Sequence, residues 1–274
     1  MWYTGLMNFT SPITLAFLAG LFTFGMTALG AATILLNRDP SQRLMDVLLG
    51  FSGGVMLAAS YWSLLAPAVE IARETSTMPW LAPGIGFALG GVGLWSLDKV
   101  MPHAHLILPD SMLKAEGVRT PWTRSALFVS AITMHHIPEG LALGVAVGAA
   151  SSGASGASMG AALALTLGLG VQNMPEGLAV ASLLRREGQT HARSVYLGAM
   201  TGSVEPIAAV IGAAAIGLST AFLPWGLAFA AGAMVYIVIE EIIPECQRCG
   251  HADSAVLAAI LGFTLMTMLD IGLG

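Results

Sequence analysis

Charge is what this chain has least of. Only 10% of its 274 residues are Asp, Glu, Lys or Arg, whereas 55% are hydrophobic and the mean hydropathy is +0.77. Soluble domains carry about 25% charged residues, so the composition excludes a solvated globular surface and points to an integral membrane protein. Other scarcities narrow the class. There are two cysteines, Cys246 and Cys249, both in a connection assigned to the cytoplasm below, where no structural disulfide is expected. No basic residue precedes the first apolar segment, which argues against a cleavable signal peptide. The G-x-x-x-x-G-K-[ST] pattern is missing, and with it an ATP drive within this chain; H-E-x-x-H, the usual zinc protease helix, is missing too. No nucleic-acid partner and no resident cofactor are expected.

What remains is apolar. Windows of roughly 20 residues, long enough to cross a bilayer, divide the chain into eight segments. They run over Ile13–Leu36, Met45–Ile71, Leu81–Met101, Ser125–Ala149, Ala157–Leu184, Ser194–Leu218, Ala221–Ile243 and Ala255–Ile271. The longest connection, about residues 102–124, is too short for a soluble domain. The expectation is one all-α transmembrane domain over residues 1–274, built from eight helices.

The basic residues orient it. Of eleven Lys and Arg, ten lie in or beside odd-numbered connections: Arg38, Arg43, Lys99, Lys114, Arg119, Arg124, Arg185, Arg186, Arg193 and Arg248. Only Arg73 lies in an even one. Odd connections therefore face the cytoplasm, and both termini lie outside.

Most of the sixteen acids lie near segment ends, but Glu139, Glu176 and Glu205 fall inside the fourth, fifth and sixth segments, with His135, His136, Gln172 and Asn173 beside them. A carboxylate at the bilayer centre costs about 2.5–3.5 kcal/mol on insertion scales, so three facing lipid would cost on the order of 8–10 kcal/mol. They must converge on a shared polar interior. His135 and Glu139 are one helical turn apart, as are Gln172 and Glu176, and His136–Glu139 and Asn173–Glu176 flank the same stripe. Gly140, Gly144 and Gly148 recur every four residues, a groove for close helix approach.

A repeated tetrapeptide marks the stripe: P-E-G-L at Pro138 and again at Pro175. Each proline deprives the carbonyl four residues earlier of its donor, at Met134 and Val171, as Pro206 does at Gly202. At membrane depth such carbonyls survive only inside protein or beside a watery cavity. Kinked fourth and fifth helices would thus bring carboxylates to one mid-membrane point, a device suited to holding cations. Imidazole with carboxylate and amide oxygen suits Zn²⁺ first, with Fe²⁺, Mn²⁺, Co²⁺ or Cd²⁺ as alternatives. Mg²⁺ and Ca²⁺ prefer all-oxygen shells. Taken singly, a histidine, Gln172 or Asn173 would be read as a bond between helices, and Met56 as packing. The acids Glu240, Glu241 and Glu245 read either as a solvated helix end or as an exit vestibule. Cys246, Cys249 and His251, and His103 with His105, are weaker metal-handling patterns.

At these residues the chain resembles the ZIP (Zrt-, Irt-like) family of divalent-metal transporters, and its GufA-like bacterial branch in particular. The fourth-helix pattern H-N-x-P-E-G is met by His135, His136, Ile137, Pro138, Glu139 and Gly140. The fifth-helix pattern Q-[ND]-x-P-E-G is met by Gln172, Asn173, Met174, Pro175, Glu176 and Gly177. Glu205 and Pro206 match the sixth-helix M-E-P, with Val204 in place of Met; His136 replaces the usual Asn, and Glu240 stands where the branch commonly has His before Glu241. The resemblance implies a mid-membrane binuclear centre. One ion would be held by His135, Gln172, Asn173, Glu176 and Met56, the other by His136, Glu139, Asn173, Glu176 and Glu205. It further implies alternating access by an elevator-like sliding of helices, and often a homodimer. The expectation is an importer of Zn²⁺ or a related ion in a bacterial inner membrane, not an enzyme. The readings set against it are an intramembrane metallohydrolase using the same site and a proton-coupled carrier of an organic cation.

Overall fold

The computed structural model describes residues 11–37, 40–102, 121–247 and 250–274. Arg38, His103, His105, Lys114, Arg119, Arg248 and Cys249 lie outside the described residues.

Among the described residues the chain forms eight membrane-length helices and no strand. We label them α1 (Pro12–Ala32, ending in the 3₁₀ turn Thr33–Leu35), α2 (Gln42–Thr75), α3 (Leu81–Val100), α4 (Arg124–Ser152) and α5 (Met159–Arg186). Next come α6 (His191–Thr201 and Glu205–Leu218, joined by the 3₁₀ turn Gly202–Val204), α7 (Leu223–Gln247) and α8 (Ala252–Leu273). Five of them, α1, α2, α6, α7 and α8, are long and apolar enough to cross a membrane on composition alone. The other three include α4 and α5, whose polar stripe dilutes their hydropathy. Local chemistry sets the ends. Thr123, Ser158 and Thr190 accept from Ala126, Ala161 and Arg193 N–H groups at the starts of α4, α5 and α6, a preferred N-cap arrangement. Gly153, with φ of 70°, closes α4 in the left-handed conformation that glycine adopts without a Cβ penalty.

The most extensive helix contacts are α1 with α5, α4 with α6, α2 with α8 and α3 with α7, and α1 packs as extensively on α6 as on α5. The first two pairs also pack on one another, so α1, α4, α5 and α6 make one group; α7 lies against both α2 and α3 and gathers α2, α3, α7 and α8 into a second. The groups meet where α2 and α8 touch α5 and where α7 touches α4. Small residues permit the closest of these contacts. A Cβ added at Gly140 would lie 2.6 Å from the Glu205 carbonyl oxygen and 2.8 Å from Ala208 Cβ. Gly144 similarly faces the Ala209 carbonyl, and Gly148 faces Ile216. The glycine groove expected on α4 is thus the seat of α6.

Two helices contain a single wider, π-helical turn: Ser60–Leu65 in α2 and Val238–Ile242 in α7. Such turns recur at functional sites, and the one in α2 packs on α7.

Candidate metal centre

Pro138 and Pro175 lie inside helices whose helical path runs on past them, over Arg124–Ser152 and Met159–Arg186. The third proline marks a real break: α6 narrows to a 3₁₀ turn at Gly202–Val204 and restarts as an α-helix at Glu205. Here the structure differs from expectation. The Gly202 carbonyl freed by Pro206 accepts the Glu205 N–H through the 3₁₀ turn, so it does not project into the interior. On α5, the Gln172 carbonyl accepts from the Ser52 hydroxyl of α2 at 3.4 Å.

The stripe residues of α4, α5 and α6 do converge. Glu139, Gln172, Asn173, Glu205 and His136 are fully buried, and Glu176 and His135 nearly so. Gln172 Nε2 donates to Glu139 Oε1 at 2.6 Å and approaches Asn173 Oδ1 at 3.2 Å and Glu176 Oε1 at 3.5 Å. Asn173 Nδ2 donates to Glu205 Oε1 at 2.9 Å. His136 Nδ1 lies 3.0 Å from Glu205 Oε1 and 3.2 Å from Glu139 Oε2. Ligand atoms of His136, Glu139 and Glu176 all fall within 4.8 Å of one another. With metal–ligand bonds of about 2.0–2.2 Å, small side-chain shifts would close such a set on one ion.

The polar atoms left over are acceptors. Gln172 Oε1, Glu176 Oε2 and Glu205 Oε2 are buried and receive no hydrogen bond. A buried oxygen without a donor costs about 1–3 kcal/mol, more when charged, and a cation bound beside such oxygens would remove that penalty. Carboxylate and amide oxygens with imidazole nearby make a donor set for a borderline divalent metal.

The structure adds residues that the sequence pattern did not disclose. Ser52 of α2 donates to Glu176 Oε1 at 2.9 Å. Thr201 Oγ1 faces His136 Nε2 at 3.4 Å, and the Thr23 carbonyl of α1 lies 3.5 Å from Asn173 Nδ2. Glu241, expected at a solvated helix end or in an exit vestibule, contacts the cluster. Its Oε2 lies 2.6 Å from His135 Nε2, and it rides on the π turn of α7. A π turn rotates the following side chains relative to an ideal helix, so a 3.6-residue period could not have placed it. Glu240, beside it, is partly exposed, while Glu245 is buried.

Met56 is fully buried in the main apolar core, one helical turn beyond Ser52 on α2. His251 does not join Cys246; its Nδ1 lies 2.8 Å from Asp46 Oδ2, while Cys246 lies buried at the end of α7.

A cluster of buried carboxylates, amides and imidazoles inside a bundle of membrane-length helices fits an intramembrane cation site. Residues 113–270 match the ZIP zinc transporter family, and the chain belongs to that family. It is 39% identical to zinc transporter ZIP11 of Bos taurus, over 96% of this chain and 98% of that protein. It is 38% identical to zinc transporter GufA of Myxococcus xanthus, over 93% and 98%. It is also 38% identical to zinc transporter ZIPB of Bordetella bronchiseptica, over 94% and 81%. These relatives are named as transporters, and the similarity lends no support to a hydrolase.

Proposed function

We propose that the protein imports Zn²⁺, and related ions such as Cd²⁺, Fe²⁺ or Mn²⁺, across the cytoplasmic membrane of a bacterium. The observation that carries the proposal is the set of buried acceptor oxygens on Gln172, Glu176 and Glu205 that receive no hydrogen bond. The zinc transporters that resemble the chain along nearly its whole length supply the choice of cargo.

In this reading Gln172 and Glu176 receive the ion, with Glu139 orienting Gln172 and with His135 and Met56 flanking the ion from α4 and α2. Glu205, Asn173 and His136 form the adjoining position. Glu241 is the next carboxylate on the way to the cytoplasm, with Glu240 beyond it. The excess of Lys and Arg in odd connections puts those on the cytoplasmic side and both termini outside. Alternating access follows from the two helix groups. The ion's ligands lie mainly on α4, α5 and α6, while Ser52 and Glu241 hold them from α2 and α7. Sliding the first group past the second carries the site between the two membrane faces, in a chain that works as a homodimer.

Uptake into proteoliposomes containing a metal-sensitive dye tests the proposal. Saturable Zn²⁺ and Cd²⁺ uptake is expected, lost in Glu176→Ala and strongly reduced in His135→Ala. Uptake unchanged by both substitutions would refute it.

A further inference from the structure

We propose that the cargo leaves for the cytoplasm through a chamber enclosed by α2, α5 and α7, and that Arg186 is the gate at its mouth. The proposal rests on the cargo reading above and adds the way out. The chamber takes a divalent cation together with part of its water shell.

Toward the α1–α2 and α5–α6 connections, α2, α5 and α7 enclose a cavity of about 40 Å³. Leu49 lines it three residues before Ser52, and Ala179 three residues after Glu176, so it begins one helical turn from the contact between Ser52 and Glu176. Gln42, Ser182 and Arg186 line it further on, and Glu245 closes it from α7, one turn beyond Glu241. A water needs about 10–15 Å³ and polar partners, so the chamber admits a hydrated ion's water. Ser182 marks it as a place for a ligand. That residue is 4% exposed, and its Oγ has no hydrogen-bond partner among the described residues. Buried hydroxyls are bonded as a rule. The chamber's donors are a carboxylate, a hydroxyl and an amide oxygen, with no imidazole, so they hold a borderline metal less firmly than the centre does. Weak holding suits a place that an ion must leave.

Arg186 shuts the mouth. From the end of α5 its Nη1 donates to Gln42 Oε1 at 3.1 Å and its Nη2 to the Pro40 carbonyl at 3.4 Å. The bridge therefore ties α5, which carries Gln172 and Glu176, to α2 of the other helix group. Gln42 is held in turn: its Nε2 donates to Asp46 Oδ1 at 2.9 Å, and Asp46 Oδ2 lies 2.8 Å from His251 Nδ1 at the start of α8. A guanidinium is always charged in a protein, so in this position it repels an approaching cation. Arg186 is itself exposed, and contacts of a charged side chain made in water are weak. It can swing into solvent at little cost, and the chamber then opens.

The test reads access and transport at one position. Ser182→Cys would be made together with Cys246→Ala and Cys249→Ser, and a membrane-impermeant methanethiosulfonate applied to the cytoplasmic face of reconstituted vesicles. Adding Arg186→Ala is expected to speed modification of the introduced thiol about tenfold, as loss of a hydrogen bond from a charged group would. Modification is expected to bring Zn²⁺ uptake down to the level of empty vesicles, while Cd²⁺ still binds the solubilised protein. If Ser182→Cys is not monodisperse, Ala179→Cys, on the same wall, serves instead. A modification rate indifferent to Arg186→Ala would overturn the gate, and uptake that survives complete modification would overturn the route. Either result leaves the cargo reading intact. An unmodified wild type without any Zn²⁺ uptake would overturn both.

Discussion

The two P-E-G-L repeats share a backbone role and differ in what their side chains do. In each, the glycine is a point where another helix backbone comes close. A Cβ at Gly140 would meet the Glu205 backbone of α6, and one at Gly177 would meet the Thr27 carbonyl of α1. The polar positions diverge. The α4 repeat reaches outward: His135 to Glu241 of α7, His136 to Glu205 of α6, and Glu139 to the Gln172 amide of α5. The α5 repeat turns inward, and keeps Gln172 Oε1 and Glu176 Oε2 without donors. One sequence motif therefore yields a helix that braces its neighbours and a helix that keeps acceptor oxygens free, and the neighbours of each decide which.

The sharpest way to break this contrast is to neutralise the two repeated glutamates in turn. Both oxygens of Glu139 already accept N–H groups, from Gln172 and His136, whereas Glu176 has only the Ser52 hydroxyl and the weak contact with Gln172. Glu176→Gln should reduce Zn²⁺ uptake to the level of empty vesicles. Glu139→Gln should retain measurable uptake, lowered roughly 10- to 100-fold, the range for losing a group that orients ligands. Initial rates in dye-loaded proteoliposomes decide it, and equal losses would show that both repeats present the ion.

The second test concerns the hold on His135. An ion bound at His135 Nε2 would displace the 2.6 Å contact with Glu241, so at that nitrogen Glu241 competes with the cargo. Glu241→Ala should tighten Cd²⁺ binding at the centre about tenfold, or about 1.4 kcal/mol, within the range of a hydrogen bond to a charged group. Titration of the detergent-solubilised protein measures it. Weaker binding would instead make Glu241 a ligand in its own right.

Much of the architecture was legible because a bilayer punishes exceptions. The eight segments, the polar stripe and the glycine groove on α4 each follow from the cost of polar groups in lipid or from close helix packing. The segment ends were less legible. Segment seven was expected to span Ala221–Ile243, but α7 runs over Leu223–Gln247. A 3₁₀ turn delays its start, and the π turn carries the helix through Glu240 and Glu241, acids that read as a helix end. Glu241's place beside His135 was illegible for the same reason, since it depends on how α7 is wound and where α4 lies. Ser52 left a fainter trace: it precedes Met56 by one turn in α2, a serine in an apolar run facing the same interior. Nothing local told it apart from a serine bonded to its own helix, as Ser60 is to the Met56 carbonyl.

Ser52 supplies the smallest expected effect and the finest probe of the contrast. Its hydroxyl gives Glu176 Oε1 a 2.9 Å hydrogen bond from across the boundary between the helix groups, while Oε2 of the same carboxylate has none. The bond fixes the carboxylate's rotation and so aims Oε2, but it contributes no oxygen to the ion. A neutral donor of this kind is worth about 0.5–1.5 kcal/mol. Ser52→Ala should therefore weaken apparent affinity by about two- to tenfold, while Ser52→Thr, which keeps the hydroxyl, should restore most of it. Because the bond also ties α5 to α2, its loss removes one restraint on the sliding of the groups. The maximal rate of Ser52→Ala should then stay level or rise as KM increases. A fall in maximal rate at constant KM would mean that Ser52 steers the movement of the helices and not the aim of Glu176.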